Sequence, residues 1–271
     1  MKILITGGSG FIGSNFIKYY QLNNKVYVSH RGLNLSEFCK DSAPDLIIHS
    51  AAEIYDKNVM FESNVKMTEI LCEYVKNNSH CQMIYIGSGS EYGDVKRATK
   101  ETDLVNPYDI YSATKSMGTL LCQGYAKSYN LNIKIVRPYS PYGPGEKPHR
   151  LFPMLWKSFM LDRAMTLKNG VHDFLYIDDF VEAVDCIVNQ SNSQSGEIIN
   201  ISSGQQYSNF QVYEAFKHIT GKDGNVKLIN EMSTWETWCA DISYIRNKYG
   251  WQPRYSLLQG IEKFLENATY E

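Results

Sequence analysis

A tyrosine and a lysine in the segment Tyr111-Ser112-Ala113-Thr114-Lys115 stand at i and i+4, which puts them on one face of a helix. A free tyrosine with a pKa of ~10 is a poor acid or base near neutrality. An adjacent ammonium favours the phenolate, so the pair is expected to exchange a proton with an alkoxide. Upstream, the apolar run Gln82–Gly87 ends in Ser88-Gly89-Ser90. A serine leaving the carboxyl end of a parallel strand faces the ligand crevice, where its hydroxyl can hold a carbonyl oxygen. Ser88, Tyr111 and Lys115 are therefore the expected catalytic group. Read blandly, Ser88 and Ser90 only make a turn.

A second constellation opens the chain. The apolar run Lys2–Thr6 leads into Gly7-Gly8-Ser9-Gly10-Phe11-Ile12-Gly13 and then a helical pattern. Glycines at these points let the chain turn sharply, let backbone approach a pyrophosphate, and let helix and strand pack closely. The helix start offers unpaired N–H groups and the positive dipole end. Gly7, Gly10, Phe11, Ile12 and Gly13 are thus expected to bind a dinucleotide. A carboxylate about 20 residues past the loop selects NAD by holding the ribose 2′-hydroxyl. Here that stretch reads Ser29-His30-Arg31, groups that can hydrogen-bond a 2′-phosphate. NADP(H) is the expected cofactor and NAD(H) the alternative.

Elements of the right kind surround these residues. Lys2–Thr6, Lys25–Ser29, Asp45–His49, Gln82–Gly87 and Asn132–Arg137 read as short buried strands. Phe11–Gln21, Phe61–Lys76 and Tyr111–Tyr129 read as helices between them. Alternating strands and helices predict an α/β fold, a Rossmann-type doubly wound parallel sheet. Past Gly143-Pro144-Gly145 the rhythm breaks, Glu197–Ile201 stands as an isolated strand, Gln190–Gly196 reads as a surface loop, and helices are expected over Asp241–Gly250 and Leu257–Leu265. This predicts a cofactor domain over 1–145 and a smaller substrate-binding lobe over 146–271, with segments returning to the first.

Composition limits the classes of function. A net charge of −2 over 271 residues argues against nucleic acid as a partner. No run approaches the ~20 apolar residues of a membrane span, and the start of the chain reads as no leader, so a cytoplasmic protein is expected. The six cysteines are scattered, and no metal-ligand spacing is present.

Together these motifs resemble the extended short-chain dehydrogenases of the NAD-dependent epimerase/dehydratase family, over nearly the whole chain. Thr6-Gly7-Gly8-Ser9-Gly10-Phe11-Ile12-Gly13 matches TGxxGxxG, Tyr111 and Lys115 match YxxxK, and Ser88 falls at the catalytic Ser/Thr. His49-Ser50-Ala51-Ala52, Asn64-Val65, Arg137-Pro138-Tyr139-Ser140-Pro141-Tyr142-Gly143, His172-Asp173-Phe174 and Gly250-Trp251-Gln252-Pro253 match further family segments. The resemblance implies that Ser50, Ala51, Ala52 and Tyr139 line the cofactor, joined by Asn34 at the adenine. It implies that Ser88, Ser90, Ser140, Arg150 and His172 face a sugar-nucleotide substrate, and that two copies pair through Phe61–Lys76 and Tyr111–Tyr129.

Departures from the family narrow the chemistry. The 4,6-dehydratases carry Asp-Glu where Gly89 and Ser90 stand, and the 3,5-epimerase/4-reductases carry cysteine at Ser90. His172 replaces an arginine, Ser140 replaces an asparagine, and Glu236 and Thr237 occupy the place of another arginine. Arg150 and Arg163 are expected either to replace that charge or to be solvated. Trp235 and Trp238 are expected in packing or stacked on a ligand. The expected activity is NADPH-dependent reduction of a nucleotide-linked 4-keto-6-deoxyhexose. A 4-epimerase with retained NAD is the alternative. A non-catalytic cofactor sensor is disfavoured because both Tyr111 and Lys115 are present.

Overall fold

A computed structural model describes residues 1–190, 195–232 and 235–269; residues 191–194 of the expected loop Gln190–Gly196 lie outside the described residues. The chain forms two compact units. One comprises Met1–Gly93, Glu101–Pro138 and Val181–Asn200, the other Asp94–Lys100, Tyr139–Phe180 and Ile201–Glu271.

The first unit is built on a six-stranded sheet. Its strands are β1 (Lys2–Thr6), β2 (Lys25–Val28), β3 (Leu46–His49), β4 (Gln82–Ile86) and β5 (Ile133–Pro138), with β6 to β9 in the second unit and β10 (Glu197–Ile201) at the edge. The spatial order is β10-β5-β4-β3-β1-β2, and β1 to β5 pair in parallel. Glu197–Ile201, isolated in sequence, is thus the sixth strand of this sheet. Sequence periodicity cannot tell an edge strand of one sheet from a lone strand elsewhere, because pairing is a tertiary event. The order reverses between β1 and β3, which makes their carboxyl ends the switch point where ligands bind in doubly wound sheets.

Both faces of the sheet are covered, so the strands read as continuous apolar runs rather than alternating ones. Leu4, Ile47, Met83, Tyr85, Ile133 and Ile135 point to one face. There they pack against α2 (Leu35–Ser42), α3 (Met67–Asn77) and α4 (Ile110–Tyr129) through Cys39, Leu71, Val75 and Cys122. A π-helical turn, Glu62–Lys66, precedes α3. α1 (Phe11–Tyr20) follows β1.

The second unit holds β6 (Ser140–Tyr142), β7 (Met165–Asn169), β8 (Val171–His172), β9 (Phe174–Tyr176), β11 (Tyr207–Ser208) and β12 (Val226–Met232) in three two-stranded pairs: β6 with β9, β7 with β12, β8 with β11. Its helices are α5 (Leu151–Leu161), α7 (Asn209–Thr220), α8 (Ser243–Tyr249) and α9 (Leu257–Asn267), while α6 (Ile177–Asn189) begins here and ends in the first unit. Phe152 stacks on Tyr142 at 3.9 Å and meets Phe174, Phe216 and Phe264 edge-on or tilted. Asp173 is buried and ties the lobe together. Its carboxylate accepts from the amides of Ser203, Gly204 and Ala240 at 2.9–3.1 Å.

Candidate active site

At the carboxyl end of β1 the chain turns at Gly7 with φ of 73°, a conformation that disfavours side chains. A Cβ on Gly7 would lie 2.7 Å from the backbone of Ala51, and one on Gly13 only 2.2 Å from the carbonyl oxygen of Gly7. α1 starts at Gly10 with no side-chain cap and no acidic residue in its first turn. Its N–H groups and dipole are left for an anion, so this cradle fits the pyrophosphate of a dinucleotide. Beside it, Ser50 Oγ donates to the Thr6 carbonyl at 2.6 Å and the Ala51 amide donates to Thr6 Oγ1 at 3.2 Å. Phe11 and Ile12 are half-buried in the first turn of α1, and Ala52 is exposed.

Ser29 bonds back to β1, its amide donating to the Ile5 carbonyl, and His30 is exposed. Arg31 Nη2 donates to Glu53 Oε2 at 2.8 Å. Asn34, expected at the adenine, caps α2 by accepting from the Glu37 amide at 3.4 Å.

β3 and α4 are joined by buried polar groups. Asn64, in the π turn, accepts from the Glu53 amide at 2.7 Å and donates to Thr114 Oγ1 at 3.0 Å. His49 bridges Thr6 Oγ1 (2.7 Å) and Thr68 Oγ1 (3.0 Å). Burial, reinforced by the charge of Lys115, pushes its pKa down to about 3, so it stays neutral.

Ser88 caps a single 3₁₀ turn, Gly89–Tyr92. Its amide donates to Glu91 Oε1 at 2.8 Å, and its Oγ lies 2.8 Å from Ser90 Oγ. The other Glu91 oxygen accepts from Arg137 Nε (2.9 Å) and Nη2 (2.7 Å). Both partners are fully buried, and the guanidinium lies over the Tyr92 ring at 4.3 Å. Sequence reasoning missed Glu91. The signal was present as a Ser-x-x-Glu capping box, Ser88 to Glu91.

Asp109 caps α4 by accepting from the Ser112 amide at 2.7 Å, and the first turn brings Tyr111 to the site. The Tyr111 pKa is pushed up to about 12; burial is the main cause, the Ser88 hydroxyl pulls it back, and the charges of Glu91 and Asp109 add to the rise. Lys115 is buried and its pKa falls to about 8, again through burial, partly offset by Glu91. The expected depression of Tyr111 by Lys115 is therefore not realised. The ammonium donates to the Ile86 carbonyl at 2.6 Å and lies over the Tyr85 ring at 4.4 Å. A charge desolvated this far must find an acceptor, and the carbonyl at the end of β4 supplies it.

The second unit carries the remaining residues. Ser140 Oγ lies 3.4 Å from His172 Nδ1 and accepts from Trp238 Nε1 at 3.2 Å. Tyr139 bonds Thr99 and packs on Trp238, which packs on Trp235. Both tryptophans are half-buried. Burial and Arg150 lower the His172 pKa to about 4, so His172 does not replace the cation of the family arginine. Arg150 is exposed and sits 3.7 Å from Glu146; Arg163 is also exposed. Among the described residues no cluster of metal-binding side chains occurs, and no helix is long and apolar enough to cross a membrane.

The sequence pattern of the NAD dependent epimerase/dehydratase family matches residues 3–202. The chain belongs to this family. It is 24% identical to the low-salt glycan biosynthesis protein Agl12 of Haloferax volcanii, over 97% of this chain and 96% of that protein. It is 28% identical to a dTDP-D-glucose 4,6-dehydratase of Dictyostelium discoideum, over 81% of this chain and 62% of that one. Among solved structures it superposes on the UDP-glucuronic acid 4-epimerase of Bacillus cereus, in complex with UDP-glucuronic acid and NAD, with a TM-score of 0.85 and 26% identity over 98% of both chains.

Glu91→Gln keeps an acceptor for the Ser88 amide but strands the Arg137 charge. It is expected to cost about 3–5 kcal/mol of stability, read by urea unfolding; a loss below about 1 kcal/mol would show that the pair is not what holds this turn. For Lys115, the folded pKa of about 8 lies below the ordinary 10.5. At pH 7 the fold carries the full cost of burying the charge, and this cost fades as pH rises from about 8 to 10.5. Lys115→Met should therefore melt above wild type at pH 7, with the gain vanishing by pH 10.5, in calorimetric scans.

Proposed function

We propose that this protein is a sugar-nucleotide 4-epimerase that oxidises the C4 hydroxyl of a nucleotide-linked sugar and re-reduces the ketone on its other face, retaining NAD between the two steps. One observation carries the reading. A complete Ser88, Tyr111 and Lys115 set occurs beside Gly89 and Ser90, where dehydration would need an acid and a base. Such a site moves a proton at one hydroxyl oxygen without eliminating water.

When bound over the glycine cradle, the nicotinamide supplies the hydride chemistry. Tyr111 takes the C4 hydroxyl proton as phenolate in the oxidation half and returns the same proton to the C4 oxygen as the ketone is reduced, so no proton is gained or lost over the cycle. Ser88, held by Glu91, orients the same oxygen. Lys115 adds positive charge at the end of β4. In this reading the first unit carries the cofactor, and Ser140, Arg150 and His172 are the candidates for selecting the sugar nucleotide. A glycan precursor is the fitting product class, in line with the relatives' names.

The NADPH-dependent keto-sugar reductase suggested by His30 and Arg31 is the second reading, since it uses the same three residues. It yields first place because Arg31 is engaged by Glu53 and because the Bacillus cereus relative is described with NAD. Phe61, Ile70, Met117 and Leu120 are exposed apolar residues on or just before α3 and on α4, and they support pairing of two copies through these helices.

Acid release of the carried-over nucleotide should yield NAD, and the protein should interconvert C4 epimers of a UDP-hexose or UDP-hexuronic acid with no added cofactor, followed by chromatography. Tyr111→Phe should lose about 10²–10⁴-fold in turnover while still carrying the nucleotide. Net consumption of NADPH with a keto-sugar nucleotide would establish the reductase instead. Light scattering should give the mass of two 31.0 kDa chains; the mass of one chain would reject the helix pairing.

A further inference from the structure

Glu53 follows β3 and Arg31 follows β2, while β1 and its glycine loop lie between those strands in the sheet. The ion pair they make at 2.8 Å therefore spans the carboxyl end of β1 at the switch point. The two partners differ sharply. The Arg31 side chain is 91% exposed and the Glu53 side chain 11%. Glu53 is held in place from several directions: Oε1 accepts from the amides of Ile54 and Tyr55 at 3.0 Å and of Asp56 at 3.3 Å, and its backbone N–H and carbonyl both bond Asn64. These amides, Tyr55 foremost, together with Arg31 hold its carboxyl below the usual range against the effect of burial, so it is ionised at neutral pH. Capping the turn uses Oε1 only. Oε2 accepts from Arg31, which follows β2 in the stretch about 20 residues past the glycine loop where dinucleotide sites read the ribose 2′ position.

We propose that Glu53 is the residue that sets cofactor choice in this chain, by occupying Arg31 and placing a fixed negative charge beside the 2′ position, so that a sequence carrying His30-Arg31 nevertheless selects NAD(H) over NADP(H). This rests on the NAD reading of the function. A phosphate touching the same guanidinium would lie within about 7 Å of the Glu53 carboxylate, inside the ~8 Å screening length at physiological salt. The repulsion acts on the phosphorylated cofactor alone, because NAD(H) presents only a hydroxyl there. Glu53 thus disfavours the 2′-phosphate from the segment after β3, where other dinucleotide sites place a carboxylate at the end of β2 that holds the ribose hydroxyl.

The test is titration calorimetry of NADH and NADPH on protein stripped of nucleotide. Wild type is expected to bind NADH more tightly. Glu53→Gln keeps the Oε1 cap and removes the charge; it should bind NADPH about tenfold more tightly than wild type, with NADH changed by less than about threefold. The double variant Glu53→Gln/Arg31→Ala should lose that gain. Unchanged NADPH affinity in folded Glu53→Gln, or a gain that persists in the double variant, would overturn the assignment while leaving the NAD reading intact if wild type still prefers NADH. A wild type that prefers NADPH would overturn both.

Discussion

The active end of this molecule depends on a buried ion pair. Glu91 and Arg137 are withdrawn from water together, and charges so placed are tolerable only when geometry and hydrogen bonds are nearly complete. Two contacts between Arg137 and one Glu91 oxygen, the Ser88 amide on the other oxygen, and the Tyr92 ring over the guanidinium meet most of that demand. Tyr92 then bonds Asn200 at 2.8 Å. The consequence is precise placement of one hydroxyl. Ser88 leaves β4 into a turn whose carboxylate cap is pinned to β5, so its Oγ cannot drift with the loop.

A second constraint follows from the reversal of strand order between β1 and β3. The glycine loop after β1 and the Ser50–Glu53 segment after β3 meet at this point, with Gly7 against the Ala51 backbone, and polar groups secure them. Thr6, His49 and Thr68 form one buried chain; Glu53, Asn64 and Thr114 form the other, which reaches α4. The π turn at Glu62–Lys66 places Asn64 in that chain, as single π turns often do at functional sites. The end of β1, the segment after β3 and α4 are thereby parts of one hydrogen-bonded body.

Lys115 shows what such a site costs. Its ammonium is buried with one carbonyl and one aromatic face for company. A stability-optimised core would place an apolar side chain there. Retaining a destabilised charge one helical turn from Tyr111 is a pattern that marks residues kept for chemistry rather than for packing.

Much of this was legible in the chain. The apolar runs located β1, β3, β4 and β5 to within a residue or two because a strand buried on both faces is apolar over most of its length, even where β5 carries the buried Lys134 and Arg137. The glycine spacing predicted the sharp turn after β1, and the Tyr111–Lys115 offset predicted that both residues share one helix, because local geometry favours those residue types at those intervals. Three things were decided only by the tertiary structure. Glu197–Ile201 joined the main sheet because pairing depends on which edge is free. The environment of Tyr111 was set by burial rather than by Lys115, because an ammonium turns to whichever acceptor the fold offers. Arg31 was engaged by Glu53, a residue remote in sequence that the order β3-β1-β2 carries across the end of β1. Sequence dictates residue types and local spacing; the surroundings that set a charge's energy come from segments that meet only when the chain folds.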